Sequence, residues 1–153
     1  MSPAVVTQLF TVGVFQDHAW ARRGLDALLA AGFSRDSLTL LTTWSPASLE
    51  LMSAFLATAP LPLQVKTLGP VAASGPLLAA LQGADGRLER QGLASTIGLA
   101  GFQQHDGYIF ETLVGRGGVL VAIMSEARAS DALAKLHAYG GGNAGIGAWT
   151  GRV

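Results

Sequence analysis

The densest group of side chains able to do chemistry is His105, Asp106, Tyr108 and Glu111, which together offer an imidazole, two carboxylates and a phenol. Such groups move protons or hold a cation when they converge on one point. On a single helix they do not converge. His105, Tyr108 and Thr112 share a face, whereas Glu111, six residues after His105, points about 120° away. These residues cannot chelate one metal by themselves, and no metal site is expected. Two readings stay open. In one, His105, Tyr108 and Glu111 line a small-molecule site with Trp44 as an aromatic platform. In the other they are structural, with Asp106 favoured by the dipole in the first helical turn and Glu111 solvated or paired with Arg116.

Other candidates resolve toward structure. His18 and His137 fall at opposite ends of different helices, and His137 suits a helix C-terminus. Gly140 to Gly145 matches G-x-G-x-x-G, but a dinucleotide fingerprint needs a strand before it and a long helix after it, and only eight residues follow Gly145. Gly115-Arg116-Gly117-Gly118 leads into a strand and reads as a turn rather than a phosphate cradle. There is no G-x-S-x-G elbow, Walker loop or H-E-x-x-H, and the lysines are Lys66 and Lys135 alone. Trp20, Trp44 and Trp149 suit core or interface anchors, or the wall of a ligand pocket. No catalytic residue and no cofactor is assigned, and the expectation leans away from an enzyme.

Composition narrows the partners. Ten Lys plus Arg balance ten Asp plus Glu, so no long-range field draws in nucleic acid. Half of the 153 residues are hydrophobic and only 13% are charged, which leaves apolar surface for a subunit interface and points to a homodimer. The absence of cysteine excludes disulfides and thiolate chemistry and fits a reducing cytoplasm. The first basic residue is Arg22, unlike the charged start of a signal peptide. The charge-free stretch from Thr67 to Ala84 is broken by Gly69, Pro70, Gly75, Pro76 and Gly83, so stable membrane insertion is not expected.

The elements that must position these residues follow from periodicity. Phe10–Phe15 reads as a buried strand, Asp17 as an N-cap, and His18–Ala31 as a helix stopped by Gly32. Ser37–Thr42 reads as a second strand. The scheme returns near the other end. Val119–Met124 is a strand, Ser130 can cap a helix carrying Leu133 and Leu136, Gly140 can stop it, and Ala144–Trp149 forms a last strand. Two interleaved βαβ halves, about 9–43 and 117–150, predict one α+β domain over 1–153: a ferredoxin-like sandwich with one mixed sheet. Between them lies a long helical and Gly-rich insert, about 44–116. It holds a helix capped by Ser45-Pro46, an edge strand around Leu61–Thr67, and a helix from Gln104 to Gly115.

The pieces GPVAASGPLLAALQG, GLASTIGLAGFQQHD and FETLVGRGGVLVAI, with VGVF and AAGF before them, resemble the small bacterial heat-induced general stress proteins over Phe10 to Ala138. The resemblance places Phe110-Glu111 at that family's aromatic-Glu pair and Arg116-Gly117-Gly118 at the entry to a core strand. It implies a stress-associated protein of undefined biochemistry. The run Asp85-Gly86-Arg87-Leu88-Glu89-Arg90 departs from the family's Gly and Ala and argues against a membrane-inserting or glycine-zipper role for the middle segment.

Overall fold

The computed structural model describes residues 6–56, 59–100, 102, 104–124, 128–138 and 143–151. In chain order the elements are β1 (Val6–Phe15), α1 (His18–Ala30), β2 (Leu38–Thr43), α2 (Pro46–Phe55), β3 (Leu61–Val65), β4 (Gly69–Ser74), α3 (Pro76–Gln82), α4 (Arg87–Gln91), α5 (Leu93–Thr96), α6 (Gln104–Gly115), β5 (Val119–Met124), α7 (Ala129–Ala138) and β6 (Asn143–Gly151). A 3₁₀ turn, Ile97–Ala100, follows α5. The fold is α+β.

The six strands form one sheet in the order β3-β4-β2-β5-β1-β6. Every neighbouring pair is antiparallel, from Phe15↔Val119 between β1 and β5 to Val14↔Asn143 between β1 and β6. This corrects the expected mixed sheet. β1 and β2 do run the same way, but β5 lies between them, just as β1 lies between β5 and β6. Interleaving converts each parallel βαβ half into antiparallel neighbours.

Side chains alternate between the two sheet faces, and in the central strands β1, β2 and β5 both faces are buried. Phe15, Leu38, Leu40, Val119, Val121 and Ile123 pack with Leu25 and Leu28 of α1, Leu51 and Met52 of α2, and Ala132 and Leu136 of α7. Phe10, Val12, Val14, Leu41, Leu120 and Ala122 face the insert instead, against Leu77 and Leu81 of α3, Leu88 of α4, Leu93 of α5 and Phe110 and Val114 of α6. The charge-free 67–84 stretch is part of this core, as β4 and α3. No helix among the described residues is long and apolar enough to cross a membrane.

Helix ends explain the chain's punctuation. Asp17 accepts a hydrogen bond from the Trp20 N–H at 2.9 Å, and Ser45 accepts one from Ser48 at 3.1 Å. Helix α1 ends in a Schellman motif: the Gly32 N–H donates to Leu29, the Phe33 N–H donates to Leu28, and Gly32 takes φ +94°. Helix α6 ends the same way, with Gly117 and Gly118 donating to Val114 and Leu113. The sequence Gly115–Gly118 is thus a helix stop. Ser130 does not cap α7; it lies inside that helix, which begins at Ala129. Gly140 falls outside the described residues, and Asn143 onward is strand, so no helix follows the glycine run.

Candidate functional site

Helix α6 divides its residues by face. Phe110 and Val114 are buried in the insert-side core, and Phe110 meets Phe102 edge-on with ring centroids 5.9 Å apart. Gly107 brings α6 against α5: a Cβ there would stand 2.7 Å from the Ala94 carbonyl oxygen and collide with Ile97 Cγ2. The opposite face carries His105, Tyr108 and Thr112, and Tyr108 is 56% exposed.

Two hollows flank Tyr108. One, of about 230 Å³, is lined by His105, Tyr108, Ile109, Thr112 and Leu113. The other, of about 330 Å³, is lined by Ala94, Ser95, Gly98, Phe102 and Tyr108. His105 and Tyr108 therefore come together. Glu111 and Trp44 line neither hollow. Trp44 is 42% exposed and stands just beyond β2, where its N–H donates to the Pro70 carbonyl at 3.0 Å. The expected four-residue set thus reduces to a pair. Spacing on the helix located that pair, whereas the lining from α5, the 3₁₀ turn and Phe102 carries no periodic signal.

Glu111 has a structural role that the sequence reading missed. Its Oε2 accepts from the Ala94 N–H at 2.9 Å, in the first turn of α5. That helix starts at Gly92, which has no side chain to cap it and takes φ +89°. A distant carboxylate supplies the cap instead. Helix α3 repeats the device: its N-cap is Gly75, and Thr39 Oγ1 on β2 accepts from the Leu77 N–H at 2.9 Å. A Cβ on Gly75 would collide with Leu38 and Thr39, so glycine permits the approach that the borrowed cap requires.

A Ser–His pair also emerges that spacing did not reveal. His18 Nε2 lies 3.0 Å from Ser48 Oγ, in the arrangement of a base beside a nucleophile. Proton accounting removes that role. Ser48 is fully buried, and its hydroxyl donates to the Thr43 carbonyl at 2.7 Å, which can only accept. Ser45 Oγ accepts from the Ser48 N–H and lies 2.8 Å from Ser48 Oγ. With the hydroxyl proton committed, His18 Nε2 is the donor to Ser48, so the pair clamps the start of α1 to α2.

Several charged residues are engaged in the same way. Arg128 donates to the Ala31 carbonyl at 2.7 Å, stacks over Phe33 and lies 3.3 Å from Asp131. Arg35 donates to Ala54 at 2.6 Å, at the end of α2. In the Asp85–Arg90 run, Arg90 pairs with Asp85 at 2.7 Å, Leu88 is buried, and Glu89 accepts from the Gln64 N–H at 3.0 Å. Among the described residues no group of three or more His, Asp or Glu is placed to hold a metal ion. Compared with protein-family models, curated proteins and solved structures, the chain matches none.

Proposed function

We propose that the protein is a non-enzymatic binding and assembly module that self-associates, built on the ferredoxin-like plan and acting in the cytoplasm. Support for the plan is the order β2-β5-β1-β6 within the sheet, the interleaving of two βαβ halves. Kinship with the general stress proteins stays part of this proposal and rests on the sequence resemblance alone.

The observation that carries the reading is Tyr108. It is an aromatic residue more than half exposed, set between two open hollows. Tyrosine is enriched in contact surfaces because it offers a large rigid area and one polar tip. Sedimentation velocity of the whole chain at micromolar concentration is the test: a dimer is expected, and a clean monomer overturns self-association.

A second reading has its own observation. The 230 Å³ hollow is walled mostly by apolar surface, with Ile109 and Leu113 beside His105 and Tyr108, so a small, largely apolar molecule with one polar group suits it. Phenol and indole serve as probes. Amide shifts concentrated over residues 93–113 and lost in Tyr108→Ala support that reading; scattered shifts remove it.

A further inference from the structure

We infer that the outer edge of β6 is the seam where two copies of this chain join, β6 against β6 across a twofold axis; the inference rests on the self-association proposed above. The sheet has two edges, and they are treated differently. The β3 edge is closed. It is five residues long, contains Pro62, and has its outward N–H groups taken: Gln64 donates to Glu89 Oε1 and Lys66 to the Glu89 carbonyl, each at 3.0 Å. Such short, proline-bearing and covered edges block strand addition.

Among the described residues the β6 edge is unpaired, with no strand beyond it. Its nine residues contain neither a charge nor a proline. Helix α7 packs beside it from one layer, and α6 and the 3₁₀ turn from the other. The edge itself offers backbone. Every second residue of an antiparallel edge strand turns both its N–H and its C=O away from its neighbour, so β6 presents a row of donors and acceptors spaced for one more strand.

A second copy supplies a strand with matching properties. Head-to-tail pairing of β6 with the β3 of another copy would run on as a fibre, but Glu89 already holds the β3 donors. Pairing β6 with β6 is antiparallel by symmetry and closes at two subunits. The hollow beside Tyr108 includes Gly98 of the 3₁₀ turn, and that turn packs on β6.

The test is amide hydrogen exchange on the whole chain across a concentration series, with sedimentation in parallel. The expected species is twice 15.7 kDa, and the outward amides of 143–151 slow by about tenfold or more as it forms. Gly147→Pro and Ala148→Pro remove N–H groups that point in opposite directions. The variant losing the outward one is expected to keep the far-ultraviolet spectrum and sediment as a monomer. A dimer whose outward β6 amides stay fast overturns the seam and leaves self-association standing, as do two folded, dimeric proline variants. A monomer at every concentration overturns both. Should neither proline variant fold, exchange in the unaltered chain still decides.

Discussion

A carboxylate in a cluster of titratable residues invites a catalytic reading, but Glu111 is occupied by the first turn of α5. Glu111→Ala leaves the Ala94 N–H without its acceptor, and the expected cost is about 1–2 kcal/mol. Glu111→Gln retains an acceptor oxygen and is expected to keep most of that stability; thermal unfolding followed by circular dichroism separates the two variants. Tyr108→Ala should behave in the opposite sense. With more than half of its surface in solvent, stability is expected to fall by no more than about 1 kcal/mol, while association or probe binding is lost. At this scale the sequence was half legible. Helical spacing separates Glu111 from His105, because faces follow from 3.6 residues per turn. The partner of Glu111 lies seventeen residues upstream, brought close only by tertiary packing, and no local pattern encodes it.

Helices α1 and α6, by their spacing, and β5, by its unbroken apolar run, were legible, and so were the caps at Asp17, Ser45 and Gly32. β4 was not. Its sequence GPVAAS contains Gly, Pro and Ala, which are poor strand formers, and it is held by neighbours on both sides rather than by its own preference. The short helices α3, α4 and α5 span seven, five and four residues, too few to show a period. Their positions depend on glycines at close approaches, which gives a sharp comparison. Alanine in a helix interior is ordinarily favoured over glycine by about 1 kcal/mol. At Gly107 the methyl would be driven into Ile97 and the Ala94 carbonyl, so Gly107→Ala is expected to destabilise by about 1–3 kcal/mol despite that preference. Gly98, where an added Cβ meets nothing within 4 Å, is the control, and Gly98→Ala is expected to be neutral within about 0.5 kcal/mol. Chemical denaturation of both variants checks the pair.

Across the whole molecule, one sheet serves two cores, and the same strands feed both. Phe10, Val12 and Val14 of β1 face the insert while Phe15 of the same strand faces α1 and α7, so neither layer can loosen without disturbing the backbone that supports the other. The insert is therefore half of the fold and not an appendage. Its removal would expose an apolar sheet face of the kind that drives aggregation. This predicts how damage spreads. Leu25→Ala opens a cavity under α1, and Leu81→Ala opens one under α3, each at an expected cost of about 2–5 kcal/mol. If the layers were independent, Leu81→Ala would split unfolding into two steps, with the insert melting first. Because they share β1, β2 and β5, both variants are expected to shift a single transition, with near- and far-ultraviolet circular dichroism coinciding. Two resolved transitions in Leu81→Ala would mean that the helices α3 to α6 rest on the sheet without being needed to hold it together.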